Sequence, residues 1–167
     1  DIFDVSVKYK GTAGRISTQV AVGYAQNQGV TAQHYKEAEN FQIQVGLSDP
    51  ESGVFGSVAY QRESADIAAV TAAATPNVAE DTDAYWLKVG IKKQWFDAGD
   101  TSIAMDYGEY DDQYGLVEAQ IGVSGSSISR IGVSVDQYFG SSLIVYGKWE
   151  NLALETDCTV ALSAQCA

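Results

Sequence analysis

The residues best placed to do chemistry in this chain are basic. Of its ten lysines and arginines, Lys8, Lys10, Arg15, Lys88, Lys92, Arg130 and Lys148 fall in the polar half of stretches that alternate polar with apolar residues. Two acids share that half. Pairing neighbouring stretches as hairpins sets Asp106 between Lys88 and Lys92, and Glu150 beside Arg130. Fixed charges in such a row break no bonds; they set the potential that a passing ion meets. The ingredients of catalysis are absent. The single histidine, His34, sits in a polar stretch without a partner, and the sequence has no Gly-x-Ser-x-Gly, His-Glu-x-x-His or phosphate-binding glycine loop. Neither an enzyme nor a cofactor is expected. Asp111-Asp112 and Glu80-Asp81-x-Asp83 offer carboxylates for a surface calcium ion, but without EF-hand spacing a solvated acidic loop is the plainer reading. Cys158 and Cys166 enclose seven residues. So local a pair suits a disulfide that clips a loop in an oxidising compartment, because a zinc shell would be half empty.

The elements that must position these charges are strands. From Ala84 to Gly108, Tyr85, Leu87, Val89, Ile91 and Trp95 share one face of a first arm, with Trp86, Lys88, Gly90, Lys92 and Gln94 on the other. Only a strand has that period of two. Thr101, Ile103, Met105 and Tyr107 alternate with Ser102, Ala104, Asp106 and Gly108 in a second arm, and Asp97-Ala98-Gly99-Asp100 supplies the turn. The same pattern runs through Phe3–Tyr9, Ile16–Tyr24, Phe41–Leu47, Val54–Tyr60, Ile131–Val135 and Leu143–Trp149. Eight strands are expected in an all-β, antiparallel up-and-down arrangement. Short turns at 11–14, 48–53, 97–100 and 139–141 alternate with long connections at 27–37, 63–83, 109–128 and from 151 onward. Glu118 to Ile128 reads as loop.

That asymmetry separates two function classes. A soluble meander has no reason to gather its long connections at one end, whereas a transmembrane β-barrel keeps its turns short on one side and its loops long on the other. Aromatic residues on the apolar face add weight. Tyr24, Phe41, Tyr60, Tyr85, Tyr107 and Trp149 lie at the long-loop ends, and Tyr9, Trp95 and Phe139 at the short-turn ends, the two girdles of a bilayer-spanning band. The alternative is a soluble β-rich surface or adhesin domain that buries its apolar face against a second sheet. No apolar tract reaches the roughly 18 residues of a membrane helix, which leaves a barrel open. A net charge of −12 argues against a nucleic-acid partner, for which a basic patch would be expected. On the barrel reading, Lys8, Arg15, Lys88, Lys92, Asp106, Arg130, Lys148 and Glu150 line the pore.

The runs DAYWLKVGIKKQWFDAGDTSIAMDYGEYDD and RIGVSVDQYFGSSLIVYGKWENLAL resemble neighbouring hairpins in the C-terminal half of trimeric porins of Gram-negative outer membranes, especially those of alphaproteobacteria. The resemblance implies a sixteen-stranded barrel, passive diffusion of ions and small hydrophilic solutes, and a homotrimer in contact with outer-membrane lipid and lipopolysaccharide. It also implies that residues 1–167 are one partial barrel segment, an internal excerpt. They show no N-terminal half, no final strand ending in an aromatic residue and no constriction loop.

Overall fold

A computed structural model describes residues 1–31, 35–67, 81–112 and 123–158. Eight strands run through them: β1 (Ile2–Ala13), β2 (Ile16–Thr31), β3 (Tyr35–Ser48), β4 (Val54–Ile67), β5 (Asp81–Phe96), β6 (Gly99–Asp111), β7 (Val123–Phe139) and β8 (Leu143–Cys158). Each pairs antiparallel with the next, so the sheet is an up-and-down meander in chain order, with its β1 and β8 edges not paired to each other. The described residues contain no helix.

The strands outrun their apolar alternation at the long-connection end. β2 and β3 pair from Ser17↔Ser48 as far as Thr31↔Tyr35, through residues expected to be loop. Val123–Ile128, also expected as loop, forms the start of β7 and pairs with β6 and β8. Residues 118–122 lie outside the described set. A backbone ladder needs no apolar side chains, so pairing continues where the alternation has stopped.

At the opposite end the turns are tight and tied to one another. Ala13 pairs with Ile16, leaving Gly14-Arg15 as a two-residue turn with a positive φ at Gly14, the position type II′ reserves for glycine. The Arg15 guanidinium reaches the next turn, 3.2 Å from Asp49 and 3.3 Å from Glu51. Asp49 also accepts the backbone N–H of Glu51 at 3.1 Å. Gly53 closes this turn at φ 78°; a Cβ there would collide with the Lys92 carbonyl oxygen.

The Ser52 hydroxyl, the Glu51 N–H and Arg15 together hold the Asp49 carboxyl below its ordinary range, against the opposing effect of burial. A depressed folded-state value means that the stabilisation is present above the unfolded value, roughly pH 4, and is lost as pH falls through the folded one. Urea unfolding in detergent between pH 5 and pH 3 should therefore fall less steeply for Asp49→Asn than for the wild type. Parallel curves would remove Asp49 from the acid response.

Burial across the sheet is inverted relative to a soluble core. The one fully buried apolar residue among those described is Ala104, whereas Thr101, Ser102, Asp106 and Ser134 are buried and polar. On β6 the residues alternate strictly, with Ser102, Ala104, Asp106 and Gly108 buried and Ile103, Met105 and Tyr107 exposed. Val89 and Val133 on the flanking strands are likewise 49% and 41% exposed. Leaving this much valine, isoleucine and leucine in water opposes the hydrophobic effect. The greasy face belongs in a greasy medium.

Candidate functional site

The pairing register lines the polar residues up in rows across the strands. One row runs Lys10, Gln19, Gly46, Ser57, Lys88, Asp106, Gly132, Glu150. The next, toward the long connections, runs Lys8, Ala21, Gln44, Ala59, Trp86, Gly108, Arg130. In the second row each large side chain alternates with alanine or glycine, while in the first Lys10 meets Gln19 and Lys88 meets Asp106. This wall is the candidate site.

Its ion-pair network lies on β6 to β8. Arg130 contacts Asp106 at 2.9 Å and Glu150 at 3.5 Å, and Lys148 meets the same Glu150 oxygen at 2.7 Å. Asp106 is 3% exposed, and that guanidinium is its ion-pair partner. Gly132 stands opposite Asp106, where a Cβ would come within 2.8 Å of the carboxylate. The missing side chain makes the slot in which the acid sits. The longer contact, from Arg130 Nε to Glu150, is an ion pair without a hydrogen bond.

The pairing expected from sequence holds in part. Lys88 does stand opposite Asp106, but the ion pair goes to Arg130 across the other ladder. Lys92 stands opposite Ser102, and its ammonium is held by Asp100 at 3.5 Å and by the Tyr138 ring at 4.0 Å. Glu150 faces Gly132, and Arg130 reaches it diagonally. Arg15 lies in the β1–β2 turn and not on a strand. Lys8, Lys10 and Lys88 have no ion pair among the described residues. Cys158 ends β8, whereas Cys166 lies outside the described residues, and with it the expected disulfide. Of the acidic clusters, Asp81 pairs with Arg62 at 2.6 Å and Asp112 accepts the Ser126 N–H at 2.9 Å. Glu80 is outside the described set, and no group of three or more potential metal ligands forms among the described residues. Sequence reasoning placed Trp86 on this face but gave it no role. An aromatic residue in the polar half of an alternation was the available signal.

The opposite face carries the aromatic belt, and the register shows how it lies. The ladder row that contains Tyr24 continues through Phe41, Arg62, Asp83, Asp111 and Ser127 to Glu155. The belt leaves that row progressively, through Tyr60 and Tyr85, then Tyr107, to Trp149. From β2 to β8 it slips by six residues (155 minus 149) over six strand steps. One residue per strand, at 3.3 Å rise and 4.8 Å spacing, is a slope of roughly 35°, the tilt of strands in a membrane barrel. The belt is thus level when the strands are tilted. Neighbouring rings meet within it, Phe41 with Tyr60 at 6.5 Å and Tyr60 with Tyr85 at 5.1 Å between centroids. The tyrosine hydroxyls donate toward the long connections: Tyr24 to Glu39 at 2.8 Å, Tyr60 to Asp83 at 2.6 Å, Tyr107 to Glu109 at 3.1 Å. Apolar ring below and wet hydroxyl above mark an interface between hydrocarbon and water.

Comparison of whole folds agrees with this geometry. The chain superposes on OmpT, an outer membrane protein of Vibrio cholerae, with TM-score 0.57 and 12% identity over 93% of this chain and 46% of that one. It also superposes on a loop L8 deletion mutant of OmpT with TM-score 0.59 and 12% identity, over 94% of this chain and 50% of the other. The fold is that of an outer-membrane β-barrel wall. This chain spans half or less of the barrels it matches. No protein-family model matches the sequence, and neither does any curated protein.

Proposed function

We propose that the chain is a wall of a bacterial outer-membrane pore through which ions and small hydrophilic solutes diffuse passively. The observation that carries this reading is the level aromatic belt on an exposed apolar face, backed by a polar face of charges and amides. The belt faces lipid. The polar face then borders water, where ionised side chains cost little and bias the ions that pass. Diffusion through such a channel requires no cofactor and no bond chemistry. A soluble surface domain would need a second sheet over the apolar face, and it would have no use for girdles that slope with the strands.

Detergent extraction and reconstitution into planar bilayers test the reading directly. Stepwise conductance that rises with salt concentration is expected; a protein that is folded and monodisperse in plain buffer and forms no pores defeats it. The wall residues sharpen the test. On the polar face, Lys8, Lys10 and Lys88 are the cations without an ion pair among the described residues, so reversing all three to glutamate should move the reversal potential toward cations. The shift should be on the order of 10 mV, out of the roughly 59 mV full response to a tenfold gradient. Reversing Arg130 or Lys148 would instead rebuild a network that already neutralises itself. If the triple variant keeps the wild-type reversal potential, those three side chains do not border the ion path.

A further inference from the structure

Between Lys8 on β1 and Lys88 on β5, the middle of the wall on β2 to β4 carries no charge. A depression of about 270 Å³ opens there, bordered by the side chains of Gln42, Gln44, Gln61 and Trp86, and floored by small residues that include Gly23 and Ala59. No lysine, arginine, aspartate or glutamate lines it. Lys8 and Lys88 stand beside its lining residues in the register or along the strand without lining it. Trp86 is half-buried and stands between Ala59 and Gly108, so no large side chain opposes its indole from either neighbouring strand. On β6, Tyr110 lies over Gly108, where a Cβ would come within 3.0 Å of the ring.

We infer that this depression is a binding station for an uncharged saccharide on its way through the channel, an inference that rests on the pore reading. The chemistry selects the ligand class. An indole face packs against the apolar C–H face of a pyranose ring, and the indole N–H can donate to a hydroxyl. Sugar hydroxyls both donate and accept, and a carboxamide answers both at once. The Gln42 side chain donates to Gln61 at 3.3 Å, which leaves Gln42 its acceptor and Gln61 its two donors. Amides on adjacent strands and two residues apart along β3 lie about 5 and 7 Å from one another. That spread fits hydroxyls around a ring better than the single edge of a planar heterocycle. An ion finds no fixed counter-charge in the lining, and a purely apolar solute would leave the amides unsatisfied. The volume is just under the roughly 300 Å³ lower bound of small-molecule sites, so it holds a single ring loosely, which suits a solute that must also leave.

Maltotriose on the full-length protein provides the test. In planar bilayers it should interrupt the ion current in a concentration-dependent way, beyond the effect of a polyethylene glycol of equal mass. Measured against each variant's own sugar-free conductance, Trp86→Ala should raise the half-blocking concentration about tenfold, while Trp86→Phe should stay within about threefold. Emission gives a readout that needs no conduction. Of the three tryptophans in these 167 residues, Trp95→Phe and Trp149→Phe remove the other two, and maltotriose should shift the part of the emission that Trp86→Phe abolishes. A protein that conducts but shows neither block beyond polyethylene glycol nor an emission shift overturns the station. Conduction in which Trp86→Ala blocks as readily as wild type overturns it as well. A protein that does not conduct but whose Trp86 emission responds keeps the site and overturns the pore.

Discussion

Replacing Arg130 with leucine is expected to lower the unfolding free energy by about 3 kcal/mol, because it strands a buried carboxylate. Asp106 is 3% exposed, and among the described residues its one ion-pair partner is the Arg130 guanidinium at 2.9 Å. Lys88 stands opposite in the register, yet no ion pair forms between them. The converse change, Asp106→Leu, should cost less, since Arg130 keeps Glu150 at 3.5 Å and is more open to water. Removing both should recover most of the loss. Apolar residues of similar volume commonly replace a buried pair at little cost, while half a pair is strongly unfavourable. Urea unfolding from detergent or lipid, read through a double-mutant cycle, should show a coupling of about 2 kcal/mol. Gly132→Ala offers an independent check, because its methyl enters the slot that the Asp106 carboxylate occupies. Additive single changes would mean that Asp106 is not held by Arg130.

The strand order, the two faces and the short turns were legible because lipid and water impose a period of two wherever a strand is wetted on one side and greasy on the other. Above the tyrosine belt both faces are wet. The alternation fades there, and Val123–Ile128 therefore read as loop although its backbone pairs with β8 and, at Ser127 and Ile128, with β6 as well. The ion pairs were harder to read for a different reason. Register identifies which Cα atoms face each other, but a long guanidinium chooses among several carboxylates within its reach. Arg130 passes over Gly108 opposite it and takes the diagonal Asp106. The slot that makes this possible is a glycine on a third position, Gly132, and no pairwise rule points to it. Trp86 escaped for a simpler reason: its neighbours are informative only once Ala59 and Gly108 are known to flank it.

Arginine placed on the apolar face should report the depth of each position, and the slope of the belt makes that report specific. Val45 and Asn151 belong to one ladder row, through Val58, Leu87, Tyr107 and Ile131. Measured along the sheet they are at the same level. Measured against the belt they are not. On β3 the row lies two rows below Phe41, in the middle of the apolar band, whereas on β8 Asn151 lies beyond Trp149 on the long-connection side. Val45→Arg should therefore cost about 3 kcal/mol, the penalty for arginine near the bilayer midplane, and Asn151→Arg between roughly 0 and 1 kcal/mol, as at an interface. Val145 lies three rows from that shared row, yet sits below Trp149 within the band on β8 and is 54% exposed. Val145→Arg should cost nearly as much as Val45→Arg. The polar face gives the control: Ser57→Arg, one residue from Val58 on β4 but opposite Lys88, enters water and should stay within about 1 kcal/mol of wild type. Folding equilibria into lipid vesicles measure all four. Equal penalties at Val45 and Asn151 would show that the strands do not cross the membrane at the tilt the aromatic residues trace, and a larger penalty at Ser57 than at Val45 would exchange the two faces.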